Sequence, residues 1–372
     1  MLDKSAAAPN PNVASPRRDA SHVRDGGAAV VILHPSEAEL GGIVAAVLFY
    51  ALALKAAGHA AEIWTPSQVL KERAESLGIP VFFHKGLRNA ASPIVHPAIV
   101  AKALKGRRHA KAILHQGEKH WLFSRIWFSG IDNFVVFHNE KINQRRFFKH
   151  WLALSERQRL ELMDFARQRK LQRSISIIRN GPLPSASIES QPRPARPIER
   201  IGAISNFGDR KGMDILIRAF QRVAAEHVNA RLVLAGDGFE REACRHLAEE
   251  LGIADRIEWP GWQWDPGPFF SGIDLFCLPS RKEPFGIVVT EAMQAGLAVI
   301  ATDTHGPADI VVPGKTGWLV PVGDADALAE AILDAICNPA KTAAFAAAGL
   351  ARFQSAYSPH AAGPAIANAL GL

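Results

Sequence analysis

Cysteine is scarce. The three in this chain, Cys244, Cys277 and Cys337, lie far apart and form no CxxC or Cys/His cluster. That excludes a disulfide scaffold and a cysteine-built zinc site, and it fits a reducing cytosol. Long apolar runs are missing as well. The longest charge-free one, Leu40 to Leu54, is 15 residues and ends at Lys55, short of the roughly 18–20 needed to span a bilayer. Residues 1–25 are Ala, Pro, Asn, Ser and charge with no apolar core of a signal peptide, and are expected to be a disordered leader. There is no RNP-type aromatic motif and no zinc finger, which argues against a nucleic-acid binder.

What is present is ordinary globular material. Apolar residues are 48% and charged residues 21% of 372, a composition that excludes disordered, coiled-coil and collagen-like chains and a length that fits two domains. The net charge of +7 is not evenly spread. Residues 101–150 carry 11 Lys/Arg against Glu118, Asp132 and Glu140, a local excess of +8. Such a patch suits a phosphate-bearing or anionic partner. At its end Lys141, Arg145, Arg146 and Lys149 stand beside Phe147 and Phe148, and cations next to exposed aromatics are expected to meet an anionic membrane surface peripherally.

Short β-branched runs alternate with helix-period runs. The expected strands are 29–34, 61–64, 81–84, 112–115, 134–138, 151–154 and 174–178, with helices at 42–57, 69–77 and 156–170. The segment 182–197 then holds five prolines in sixteen residues, which neither helix nor sheet tolerates, so it marks a linker. The alternation restarts with strands at 200–204, 231–235, 257–259, 275–278 and 298–301 and helices at 213–225, 239–251, 288–294 and 325–337. The expected fold is α/β: two doubly wound, Rossmann-like domains, 26–182 and 199–357, joined by 183–198, with 358–372 crossing back as a helix. In such sheets ligands bind beyond the carboxyl ends of the strands.

The densest chemistry lies at Pro279-Ser-Arg-Lys-Glu-Pro-Phe-Gly-Ile-Val-Val-Thr-Glu291. A strand ends there and a helix begins, so the backbone N–H groups of Phe285, Gly286 and Ile287 are expected donors to a diphosphate. Glu283 and Glu291 stand eight residues apart, roughly 12 Å along a helix, about the length of a ribose-diphosphate-sugar unit. Arg210 and Lys211 sit at a strand-to-helix turn, where adjacent cations neutralise a departing phosphate. Gly41-Gly42 opens a helix and allows close backbone approach. Gly236-Asp-Gly238 and Asn180-Gly181 follow strands. Four expected strands end in His34, His84, His115 and His138, where side chains meet a cleft. Asp324-Ala-Asp326 looks like a metal-binding DxD but opens a helix and is better explained as a cap.

Taken together, Gly41-Gly42, Asn180-Gly181, Lys211-Gly212, Gly236-Asp-Gly238, Pro279-Ser280 and Glu283 with Glu291 resemble the retaining glycosyltransferases of family 4, with the GT-B fold of two Rossmann-like domains facing a central cleft. Hexosyltransferases of lipopolysaccharide core assembly look similar. The resemblance covers nearly all of the chain after residue 27. It implies a nucleotide-diphospho-sugar donor with no metal or other cofactor. Glu283 would hold the donor sugar's hydroxyls and Glu291 the ribose. Arg210, Lys211 and the amides of Phe285, Gly286 and Ile287 would hold the diphosphate, with Gly41 and Gly42 approaching it from the other domain. Trp262 and Gln263 would meet the base, Gly236 and Gly238 would belong to the donor site, and His138 would meet the reacting sugar. Many members carry an Arg five or six residues before the Lys. Here Ser205 and Asn206 stand there, and Arg210 is expected to substitute. The implied enzyme is cytoplasmic, visits the inner face of the membrane and glycosylates a glycan or lipid-linked glycan of the cell envelope. A catalytically weak sugar-nucleotide-binding protein and a GT-B-fold sugar-nucleotide epimerase are the alternatives.

Overall fold

The computed structural model describes residues 29–34, 36, 41–85, 109–115, 132–138, 148–185 and 187–372. The expected leader and most of the basic 101–150 segment, including Lys141, Arg145, Arg146 and Phe147, lie outside them.

Two parallel sheets organise the chain. The first takes β1 (Ala29–Leu33), β2 (Ala61–Thr65), β3 (Val81–Phe83), β4 (His109–Leu114), β5 (Asp132–Val136), β6 (His150–Ala153) and β7 (Ser174–Ile177) in the order 3-2-1-4-5-6-7. The second takes β8 (Arg200–Ile204), β9 (Arg231–Ala235), β10 (Ile257–Gly261), β11 (Leu275–Leu278), β12 (Ala298–Thr302) and β13 (Gly317–Val320) in the order 10-9-8-11-12-13. Counted within each sheet, both begin 3-2-1-4-5-6, the doubly wound order, and the first adds a seventh strand at the edge. The ligand crevice then falls where the order reverses, between β1 and β4 in one sheet and between β8 and β11 in the other.

The central strands are continuous apolar runs because helices cover both faces. In sequence order these helices are α1 (Gly42–Ala56), α2 (Gln68–Ser76), α3 (Glu156–Gln168), α4 (Met213–Glu226), α5 (Arg241–Glu250), α6 (Gly267–Ser271), α7 (Ile287–Gln294), α8 (His305–Ile310), α9 (Ala325–Cys337), α10 (Pro339–Ala356) and α11 (Pro359–Leu370). α1 is apolar nearly all round, with Val44 and the run from Ala46 to Ala51 buried, because sheet covers one side and α11 the other. α11 starts at a Ser358 cap, whose Oγ accepts from Ala361 N at 3.3 Å, with Pro359 in its first turn. It lies against α1 closely enough that a Cβ on Gly363 would strike the Ala53 carbonyl oxygen.

The Pro-rich segment carries no helix or strand, yet it does not swing freely. Arg193 crosses onto the second unit and donates to Ala295 O, Ile273 O and Phe270 O at 2.9–3.0 Å. Ile188 and Ile198 are buried. The segment is a strap fixed to the C-terminal unit. Contacts also join the two units directly. Arg157 Nη2 meets Asp303 Oδ1 at 2.9 Å, Glu161 Oε1 meets His305 Nε2 at 2.8 Å, and Glu156 N donates to Asp309 Oδ2 at 2.5 Å.

Candidate active site

A cavity of about 470 Å³ lies between the two units, within the size range of small-molecule sites. Its walls come from the carboxyl ends of the strands, those at the two switch points included. One wall is Gly41, Gly42, Ile43, His138, Leu154 and Asn180. The other is Ser205, Asn206, Arg210, Lys211 and Trp262, with the stretch Lys282–Val288.

Two helix N-termini meet across it. α1 begins at Gly42 with no side-chain cap and no acid in its first turn, and α7 begins at Ile287 on the same terms. A Cβ on Gly42 would lie 3.8 Å from Ile287 Cδ1, so the two ends nearly touch. The amides of Gly42 and Ile43 on one side, and of Phe285, Gly286 and Ile287 on the other, donate to nothing among the described residues. Unpaired N–H groups and the positive ends of two helices make a site for an anion.

Three cations and one carboxylate complete the charge. Asp209–Lys211 is a single 3₁₀ turn after β8. Gly212 ends it in the left-handed region at φ 63°, where a Cβ would run into the Pro279 carbonyl oxygen; only glycine brings this turn so close to the end of β11. The backbone N–H groups of Arg281 and Lys282 donate to Arg210 O at 2.8 and 3.2 Å. Arg281 is itself held by a two-pronged bond to Asp214, 2.9 and 2.6 Å. The turn is thereby fixed, and Arg210 is exposed on it. Lys211 Nζ bonds Glu283 Oε2 at 2.6 Å, the pair half-buried.

Glu291 lies one helical turn beyond Ile287. Its carboxyl has no partner among the described residues, does not line the cavity, and is pushed up to about 7 by burial. Trp262 lines the cavity, is 41% exposed and meets Trp264 edge-on, ring centroids 6.4 Å apart. Gln263 does not line it, because its amide folds back onto Pro260 O and Gly261 O at 3.2 and 3.3 Å.

Gly236 and Gly238 also fall outside the lining. Both have positive φ, and a Cβ on either would strike the backbone of Ser205 or Phe207. They let the β9 loop pack against the β8 loop that carries Arg210 and Lys211. Of the four strand-end histidines only His138 reaches the cavity. His34 is fully buried with neither ring nitrogen bonded among the described residues, and burial pushes it down to about 4. His84 stacks on Phe82, and His115 bonds His138 at 2.7 Å. Asp324 caps α9, its Oδ1 accepting from Ala327 N at 2.9 Å. Among the described residues no cluster of three or more His, Cys, Asp or Glu could hold a metal.

The expectation of an aromatic membrane patch needs correction. Phe148 is 5% exposed and packs in the core with Trp151 and Phe137, while Lys149 alone of the named cations is described and exposed. Sequence reasoning also missed wall residues. Lys282 stood next to Glu283 in the same motif, and its charge at a strand end was the signal. Ile43, Leu154 and Val288 carried none beyond being apolar.

Residues 191–352 match the Glycosyl transferases group 1 family. The matched residues contain the β8 turn with Arg210 and Lys211, and the Glu283–Glu291 stretch. The lipopolysaccharide core biosynthesis glycosyltransferase LpsE of Rhizobium meliloti is 37% identical over 130 residues, 35% of this chain and 37% of LpsE. LpsD of the same organism is 34% identical over 193 residues, 51% of this chain and 55% of LpsD. The chain thus spans about half or less of these curated relatives. Along the chain as a whole the likeness to solved structures is of fold. The structure of Anabaena Alr3699/HepE in complex with UDP and glucose superposes with a TM-score of 0.73 at 20% identity, covering 92% of this chain and 99% of that one. The GT-B arrangement of two parallel-sheet, Rossmann-like units is therefore shared along nearly the whole chain.

Proposed function

We propose that the chain is a retaining glycosyltransferase. It moves a sugar from a nucleotide-diphospho-sugar to a hydroxyl of a glycan or lipid-linked glycan in cell-envelope polysaccharide or lipopolysaccharide synthesis, without a metal. The observation that carries this reading is the meeting of two uncapped helix N-termini with Arg210, Lys211 and Lys282 around one cavity. That arrangement matches a diphosphate in charge and supplies what a divalent cation would otherwise supply to the leaving group. The names of LpsE and LpsD support the pathway, and the UDP and glucose in HepE support the donor class.

In the reaction the bond from the anomeric carbon to the β-phosphate oxygen breaks. The acceptor oxygen bonds the same face of that carbon, and its proton passes to the departing phosphate. Arg210, Lys211, Lys282 and the amides of Phe285, Gly286 and Ile287 hold the growing negative charge. Glu283 accepts from the donor sugar's hydroxyls, which releases Lys211 to the phosphate. Glu291 takes the ribose, Trp262 the base, and Gly42 closes on the diphosphate from the other wall. His138 meets the sugar at the acceptor side. The reaction is placed in the cytoplasm, at the inner face of the membrane when the acceptor is lipid-linked. Lys141, Arg145, Arg146 and Lys149 would hold that surface by charge alone, since Phe148 is not available to it.

The test is transfer from UDP-glucose and GDP-mannose to purified lipopolysaccharide core acceptors, with and without EDTA, the product read by NMR. Retained anomeric configuration in EDTA is expected. An inverted product, an absolute need for metal, or an epimerised sugar nucleotide formed without acceptor overturns the reading.

A further inference from the structure

One chain of side chains leaves the cavity wall and returns to it. Asn180, in the wall, accepts a hydrogen bond at Oδ1 from the buried Tyr50 hydroxyl, in the middle of α1. Burial holds the Tyr50 phenol well above its ordinary range, so it stays protonated and donates. The Tyr50 ring lies against the His115 ring, centroids 5.4 Å apart. His115 is completely buried at the end of β4. Its Nδ1 is 2.7 Å from His138 Nε2, the rings stacked at 4.9 Å. His138 is back in the wall.

Two imidazole nitrogens at that distance share one proton: two N–H groups repel, and two lone pairs do not bond. The His138 tautomer is thus tied to that of His115, and any ligand that His138 contacts through nitrogen is met by Nδ1. Which nitrogen of a histidine carries the proton is set by the hydrogen bond at the other.

We infer that His115 is a positioning residue of the transfer site, fixing the ring and tautomer of His138 so that one defined nitrogen faces the sugar. This rests on the reading of the cavity as a glycosyl-transfer site. Tyr50 is the back-stop: it occupies the face of His115 and is itself tied to Asn180, so α1 sets both the anion site at its N-terminus and, about two turns later, the histidine pair. The acceptor-side chemistry therefore depends on a residue that touches neither donor nor acceptor.

The experiment uses the full chain with His115→Phe, which keeps a buried ring but no nitrogen, and His115→Asn, which keeps a hydrogen-bonding atom near the Nδ1 position. With ¹⁵N-histidine labelling, long-range proton–nitrogen spectra should show His138 in one tautomer in the parent and in His115→Asn, and in a tautomer mixture in His115→Phe. In turnover, His115→Phe should lower kcat on the order of 10- to 100-fold, with donor KM unchanged and kcat restored by His115→Asn. A single His138 tautomer retained in a folded His115→Phe overturns the proposal, as does a parallel loss of donor KM in both variants. If the parent transfers no sugar at all, it is the reading of the cavity that fails, and the tautomer spectra still decide the pairing.

Discussion

Lys211 Nζ and Glu283 Oε2 stand 2.6 Å apart, bridging the turn after β8 to the loop before α7. Without a donor the pair neutralises itself across the floor of the cleft. In the proposed reaction each partner has a different task, the lysine on phosphate and the carboxylate on sugar hydroxyls, so a bound donor exchanges one ion pair for two separate contacts.

Lys211→Ala should therefore lower kcat on the order of 10²- to 10³-fold, the cost of losing one group that stabilises developing charge. Glu283→Ala should raise donor KM more than Lys211→Ala does. Steady-state kinetics with a saturating acceptor separates the two, and near-normal kcat in Lys211→Ala would remove the lysine from the phosphate clamp.

Glu291 gives a pH dependence whose sign is fixed. Its carboxyl is raised to about 7 by burial, so the folded protein holds a proton that the unfolded chain has lost above its ordinary carboxylate range. Stability drawn from this group is present at acid pH and lost as pH rises toward and through 7. Donor binding runs the other way, because the ionised carboxylate is the better acceptor for ribose hydroxyls. UDP-glucose is the right probe, since neither of its phosphates titrates near neutrality. Its affinity should rise from pH 6 to pH 8, by at most about tenfold per unit, and Glu291→Gln should flatten the profile. A pH-independent parent contradicts the assignment.

The sequence made this stretch legible because its chemistry is local: a strand end, Pro284, Gly286 and two acids occupy thirteen consecutive residues. The parallel sheets were legible for the same reason, since β8, β9 and β11 are apolar runs whose bounds match the expected ones. Less legible was what depends on a partner distant in the chain. α10 was missed because its Ala-rich run, Pro339–Ala356, shows little of the Leu/Ile spacing that marks a helix, and β13 because Gly317 and Trp318 break the β-branched pattern. Phe148 reads as exposed beside its cations, yet the β6 strand that follows it carries it into the core. Gly236 and Gly238 read as a ligand loop until the backbone of Ser205 and Phe207 is placed against them.

The contacts between α3 and α8 should orient the two units rather than stabilise either. Arg157–Asp303 and Glu161–His305 are partly exposed pairs, each worth about 0.2–1 kcal/mol. Replacing Arg157 and Glu161 by Ala should barely move Tm but should increase the radius of gyration in solution scattering, with compaction restored by UDP-glucose. An unchanged scattering profile would mean that the strap and α11 set the arrangement by themselves.

α11 is the stronger tie. Gly363→Leu forces a side chain into the Ala53 carbonyl, and overpacking of this kind costs about 1–3 kcal/mol. Thermal unfolding should shift down measurably, and proteolysis should release the C-terminal segment first. A Tm equal to that of the parent would show that α11 does not press against α1.

The central claim is that the cleft holds a glycosyl diphosphate through its cations and helix ends, and calorimetric titration of sugar nucleotides tests it most directly. The parent should bind at least one of UDP-glucose, UDP-N-acetylglucosamine and GDP-mannose. The affinity should fall on the order of 100-fold or more when Arg210 and Lys211 are both replaced by Ala, on the scale of about 1.5–3 kcal/mol for each hydrogen bond to a charged group. Absence of binding to every sugar nucleotide, or equal binding by the parent and the double variant, would contradict the account.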